Sequence, residues 1–311
     1  MKDDSLIRFS STVPVKDIAG TVFDEGIDAL IIGNNRFGLR LPTSYDLAET
    51  ADLTKIAHQK GKKIIVAANA ILHNEKLQSY QEYLAALDQI EVDYVMVGDA
   101  GAVNIIQNNF PNLKFIYNGE VLDTNSGMMN FWGEEGASYV QLSREIPYVE
   151  LKELLPKLEV KPILQLFGPI AIEHSGRSLI YNYLDYVDKT NDFAPNEIYK
   201  VSLPARPEEE YIMFEDEHGT HMYAPYDLNL LSKFLELVSM GINFFTFDSK
   251  FYDGDNWLNI IKIFVKARNY ILQDQLNDDR LSELEEKLLQ TVPADRKYSI
   301  GFYDYQIGDI K

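Results

Sequence analysis

The residues best suited to chemistry fall into two groups. The first is a run at 171–183, AIEHSGRSLIYNY, in which His174, Ser175, Gly176 and Arg177 follow directly on an apolar stretch. A histidine and an arginine on a Ser-Gly turn can contact an anion or pin the segment to an acid, and Gly176 offers a positive φ there. The second group is scattered: Asn34 with Arg36 and Arg40, Asn69, Asp99, Asn118 with Glu120, Arg144 with Glu145, and Asp248 with Lys250. Each closes an apolar run. Brought around one opening, they form a pocket for a small carboxylated or phosphorylated ligand, with the arginines as bidentate anion clamps. Taken singly, the same residues serve as helix caps and rim salt bridges. Both readings stand at this point.

Other chemistries find less support. His218 and His221 lie three apart beside Glu215, Asp216 and Glu217, but on a hairpin such residues point to opposite faces, so no metal site is expected. There is no HExxH and no GxSxG, and the histidine of HSGRS has no evident aspartate to orient it. With no cysteine in 311 residues, disulfides, thiolate zinc sites, a thiol nucleophile and cysteine-ligated iron–sulfur clusters are all excluded. Lys and Arg total 29 against 48 acids, a formal charge of -19. That field repels phosphate backbones, so strong independent binding of nucleic acid is not expected.

The elements that must position these residues are short β-rich runs, each followed by a helical stretch. The predicted strands are 6–12, 29–34, 63–70, 94–99, 114–118, 139–143, 162–168 and 243–249. They are near-continuous apolar runs, as strands read when both faces of a parallel sheet are covered. Eight such units, with no GxGxxG after the first strand, predict a (β/α)8 TIM-type barrel. A long β-containing insertion, 169–226, separates strands seven and eight, with a hairpin turning near His218 and Gly219. A barrel domain is expected over 1–275, and a C-terminal helix and docking segment over 276–311. The acidic N-terminal stretch and the lack of a long apolar run predict a cytoplasmic protein without a membrane span.

Several stretches, in order, resemble one known family: AANA, VDYVMVGDAG, DTNSGMMNFWGEEGASYVQLSRE, FGPIAIEHSGRSLIY and YDLNLLSKFLELVSMGINFFTFDSK. Together they are similar to the collagenase-like peptidase family, family thirty-two of the unclassified peptidases. That family also contains prephenate-dependent tRNA uridine hydroxylases and ubiquinone-biosynthesis hydroxylation proteins. The resemblance implies a barrel with a Ser-Gly-Arg loop, matched by Ser175, Gly176 and Arg177. It also implies an asparagine after strand three (Asn69), a D-x-G after strand four (Asp99, Gly101) and an RE pair after strand six (Arg144, Glu145). Asp227 and Leu228 match an Asp-Leu pair opening the penultimate helix.

The departures carry as much weight. Where the family pattern reads H-G-A-x-C-x-x-x-S-G-R-C, this sequence has Phe167, Ala171 and Ser178 at the histidine and the two cysteines. The resemblance therefore implies a short, cluster-free paralogue of the prephenate-dependent tRNA uridine 5-hydroxylase pair. It would act with a cysteine-bearing paralogue, reach tRNA through that partner, bind no cofactor of its own, and hold a small organic acid such as prephenate. Two other readings remain: the peptidase activity that names the family, and a stand-alone barrel enzyme or sensor for a small acid.

Overall fold

The computed structural model describes residues 6–120, 123–293 and 296–306. Its first strands and helices alternate: β1 Arg8–Ser11, α1 Ala19–Asp24, β2 Ala29–Ile32, α2 Leu47–Gln59, β3 Lys63–Ala67, α3 Leu77–Ile90, β4 Tyr94–Val97 and α4 Ala100–Asn109. Then follow β5 Phe115–Tyr117, α5 Ser126–Glu134, β6 Tyr139–Gln141, α6 Tyr148–Leu154 and β7 Pro162–Ser175. The remainder comprises α7 Leu179–Tyr186, β8 Tyr199–Leu203, β9 Arg206–Asp216, β10 Gly219–Asn229, α8 Phe234–Ser239, β11 Phe244–Phe247, α9 Gly254–Leu272, α10 Asp278–Leu289 and β12 Tyr298–Ser299. Strands β1 to β7 and β11 are parallel neighbours in order. β11 pairs with both β7 and β1, which closes the barrel.

Two buried clusters explain why the strand sequences lack polar alternation. Ile31, Ile65, Met96, Ile116, Ile163 and Phe244 pack together inside the barrel. The intervening residues, among them Leu30, Ile64, Val66, Val95, Val140, Leu164 and Phe245, pack outward with Phe23, Leu53, Leu84, Val103 and Phe264 of the helices. Successive strand residues face opposite sides, so both must be apolar. Local chemistry sets the helix starts. Asp46 and Glu49 form a capping box on α2, Asp99 caps α4, and Asn125 caps α5.

The run at 171–183 is not the loop that the sequence suggests. β7 continues past the barrel as one 14-residue strand to Ser175, and pairs antiparallel with β10 so that His174 faces His221 and Ser175 faces Thr220. β10 in turn pairs with β9, and β9 with β8, which makes the insertion a small antiparallel sheet growing out of the barrel wall. Gly168 marks where β7 leaves the barrel. Its φ is +114°, and a Cβ there would lie 2.2 Å from the carbonyl oxygen of Asp248, so only glycine fits. Gly219, at φ +106°, does the same for the hairpin turn against Ser175.

The Asp-Leu pair at 227–228 also departs from expectation. Asp227, Leu228 and Asn229 end β10 opposite Pro169, Gly168 and Phe167, and the helix begins only after Leu230. The reason is a buried ion pair. Both Nε and Nη2 of Arg296 donate to Asp227 Oδ1, Arg296 Nη1 donates to the Ala224 carbonyl at 3.2 Å, and the Tyr252 hydroxyl donates to Asp227 Oδ2 at 2.6 Å. This fixes β12 beside β10, while α10 lies on α9 with Leu284 and Leu288 fully buried. Among the described residues no helix is long and apolar enough to cross a membrane.

Candidate functional site

The C-terminal ends of the barrel strands surround a cavity of about 70 Å³. It arises from a change of residue type along each inward row. β3 and its extension place Ile65, Ala67 and then Asn69 inward; β7 places Ile163 and then Gln165; β11 and its extension place Phe244, Thr246 and then Asp248. The lower layer is apolar and the upper layer is polar. Six residues singled out in the sequence meet here: Arg40, Asn69, Asn118, Glu120, Arg144 and Asp248.

Glu120 organises them. Its Oε1 lies 2.6 Å from Arg40 Nη2, and its Oε2 accepts from Arg144 Nη1 at 3.1 Å. Asn69 Nδ2 stands 3.5 Å from Oε1, while Asn69 Oδ1 accepts the backbone N–H of Leu39 at 3.1 Å and so ties down the loop that carries Arg40. Arg144 Nε donates to Gln165 Oε1, and Gln165 Nε2 donates to the Pro169 carbonyl at 3.1 Å. Arg40 (φ +56°) and Glu120 (φ +61°) both hold a left-handed backbone that non-glycine residues seldom adopt. Such strain gathers at functional sites.

Burial works against every charge in this group, and the partners decide the outcome. Burial alone would raise the Glu120 carboxyl, but Arg40 and Arg144 outweigh it and hold the group below its ordinary range. Burial likewise pulls Arg40 down, and Glu120 with its acidic neighbours brings it above its usual value. Asp248 stays raised, because burial exceeds the help of the Lys250 backbone N–H and the two arginines. Among the described residues the buried donors without a partner include Gln141 Nε2, whose residue lines the cavity, and the Tyr223 hydroxyl; Tyr45, Tyr83 and Trp132 also hold unpartnered donors. Tyr223 is 1% exposed and packs with Phe214 and Phe251 rather than on the cavity wall; burial, with Asp248 adding to it, raises its hydroxyl above the usual value. Burying a donor without an acceptor is unfavourable by about 1–3 kcal/mol, so the open Gln141 amide on the cavity wall marks a place for an acceptor atom.

The insertion sheet roofs this mouth. His174 stacks on His221 with centroids 4.6 Å apart, and Phe214 stacks on the other side of His221 at 4.9 Å. His221 Nε2 donates to Asp216 Oδ1 at 2.8 Å, and His174 Nε2 donates to the His218 carbonyl at 2.9 Å. The turn then reaches across the barrel: His218 Nε2 donates to the Asn35 carbonyl at 2.6 Å. Lys250 belongs to this roof and not to the cavity wall. Its ammonium lies 4.5 Å from the Phe214 ring centre and donates to the Leu41 carbonyl at 3.2 Å.

The other singled-out residues are elsewhere. Asp99 is spent as a cap, accepting the N–H groups of Gly101 at 2.7 Å and Ala102 at 3.3 Å. Glu145 does not line the cavity; its backbone N–H donates to Ser143 Oγ at 3.3 Å. Arg177 is exposed at the turn after β7, where its N–H donates to Ser175 Oγ and its carbonyl accepts from Thr220 Oγ1. Gly176 is not among the positive-φ residues, and a Cβ there would meet open space, so no backbone requirement explains it. Gln141, Gln165 and Tyr223 were not singled out in the sequence. For the two glutamines the signal was present: a lone amide at an inward position of an otherwise apolar strand.

With the geometry in hand, the likeness to known proteins can be weighed. The profile of Peptidase family U32 matches residues 17–310. tRNA hydroxylation protein P2 of Bacillus subtilis (strain 168) is 29% identical over 308 residues, which is 97% of this chain and 97% of its own length. tRNA hydroxylation protein P1 of the same organism is 24% identical over 225 residues, 70% of this chain but 52% of its own length. The structure of ribulose-1,5-bisphosphate carboxylase/oxygenase from Pyrococcus horikoshii OT3 superposes with a TM-score of 0.52 at 10% identity, covering 91% of this chain and 63% of that one. That is a likeness of fold alone.

Proposed function

The chain belongs to Peptidase family U32, and we propose that it is a cluster-free subunit of a tRNA wobble-uridine 5-hydroxylation system. For the reaction, support comes from end-to-end likeness to a tRNA hydroxylation protein. For the role, support comes from the sequence, which has no cysteine to hold a redox cluster and an acidic surface that disfavours direct capture of tRNA. In this reading a cysteine-bearing paralogue supplies the redox centre and most of the RNA contact. This chain contributes the barrel mouth, where a small organic acid such as prephenate binds.

The observation that carries the acid is the donor set at the mouth. Arg40, Arg144 and Gln141 line one cavity, with the Tyr223 hydroxyl buried in the sheet that roofs it, and the Gln141 and Tyr223 donors have no acceptor. Two guanidiniums and two neutral donors form an arrangement for a carboxylate with a further oxygen, not for a peptide bond under attack. Among the described residues, three serines near the mouth are not set up as nucleophiles. Ser175 accepts a turn N–H, Ser178 lies exposed, and the buried Ser249 hydroxyl pairs with Thr12 at 2.9 Å instead of with a histidine.

Co-purification from the native locus tests the proposal. A stoichiometric cysteine-bearing relative with iron–sulfur absorbance is expected, together with loss of 5-hydroxyuridine from tRNA when this gene alone is deleted. A colourless chain eluting alone, from cells whose tRNA is unchanged by the deletion, would overturn it.

A further inference from the structure

We propose that the carboxylate of Glu120 is a built-in competitor for the mouth arginines, so that an acid gains the site only by displacing it. The inference rests on the reading of this mouth as an acid site and names the residue that sets its selectivity. Glu120 now does what a bound carboxylate would do: one oxygen faces Arg40 at 2.6 Å and the other faces Arg144 at 3.1 Å. With it in place, the remaining cavity of about 70 Å³ holds a few waters, well short of the roughly 300 Å³ at which small-molecule pockets begin.

Three features separate a competitor from a permanent structural partner. First, Glu120 leaves work undone. Its two oxygens serve the arginines, but the Gln141 amide and the Tyr223 hydroxyl remain without acceptors. A ligand carrying more oxygens than one side chain can serve both sets. Second, Glu120 stands just beyond β5, outside any regular element, on a backbone with φ +61°. Its N–H donates to the Asn118 side chain at 3.1 Å and takes no part in a strand ladder. Third, the charges favour exchange. Arg40 is 8% exposed, and removing Glu120 leaves it and Arg144 facing each other in a poorly solvated space that calls for an anion.

Chemical rescue tests this on the full-length chain. Thermal unfolding would be measured for the wild type, Glu120→Ala and Glu120→Gln, in formate, acetate and malonate, with chloride at equal ionic strength as the control. Calorimetric titration with malonate would follow. The expected result is that Glu120→Ala unfolds at lower temperature and is restored by formate or acetate beyond the effect of chloride. Glu120→Gln, which keeps the shape, is expected to bind malonate at least tenfold more tightly than the wild type. Adding Arg144→Gln should abolish the gain. If wild type and Glu120→Gln bind malonate equally, the acid site stands and the competitor role is overturned. If no variant binds malonate and no carboxylate restores Glu120→Ala, the acid site falls with it.

Discussion

Two arginine–carboxylate groups buried among the described residues differ in completeness. At Asp227, both carboxylate oxygens and all three Arg296 nitrogens find protein partners. At the barrel mouth, Glu120 bridges two arginines, yet a cavity lies beside it and two donors nearby are unserved. A purely structural ion pair is satisfied by its own chain, because each open group would weaken the fold. An incomplete ion-pair group that also borders a cavity is arranged for something that arrives later. A third carboxyl sharpens the contrast. Asp123 is fully buried, accepts the Gly119 N–H at 2.7 Å, and has no arginine, so burial pushes it up to about 6.

The largest way to break this comparison is at the complete pair. Asp227→Ala strands Arg296 and is expected to lower stability by about 3–5 kcal/mol in urea titrations, with no recovery in acetate, since Asp227 and Arg296 are closed off from solvent and border no part of the mouth cavity. Recovery would erase the difference between the two groups. Asp123 comes next. Its carboxyl ionises near 3.8 when unfolded and near 6 when folded. Between those values the unfolded chain releases a proton that the folded chain keeps, so the contribution of Asp123 to stability falls as pH rises from about 4 to 6. Asp123→Asn should remove this decline, with a difference of up to about 3 kcal/mol at pH 7. Parallel stability profiles for the two proteins would show that Asp123 ionises normally. A smaller effect is expected from Arg144→Gln, which leaves Glu120 with Arg40: a loss of about 1.5–3 kcal/mol in malonate affinity by calorimetry, with the fold intact by circular dichroism. The smallest is Tyr223→Phe. Deleting a hydroxyl without an acceptor should leave the unliganded protein unchanged or up to about 1 kcal/mol more stable, while weakening malonate binding. A clear loss of stability would mean that the hydroxyl is already served.

The barrel was legible because its strands must be apolar on both faces: Leu30, Ile31 and Ile32 in a row leave little alternative to a covered parallel sheet. Half of the mouth was legible for a related reason. Arg40, Asn69, Arg144 and Asp248 are polar residues directly after such runs, where the chain emerges at the top of the barrel. What misled was proximity in sequence. His174, Ser175 and Arg177 stand side by side, but the continuation of β7 turns alternate residues to opposite faces and carries Arg177 out to solvent. Asp227 failed as a helix start because its partner, Arg296, lies 69 positions away and holds the strand straight. Tyr223 had no local signature at all, since it belongs to a strand that folds back over a mouth built from other elements.

The contact between His218 and Asn35 bears on time more than on affinity. A turn tied across the opening makes anything beneath it wait for that one hydrogen bond to break before it can exchange. Association would then run below the diffusion limit and depend little on concentration once the roof's opening sets the pace.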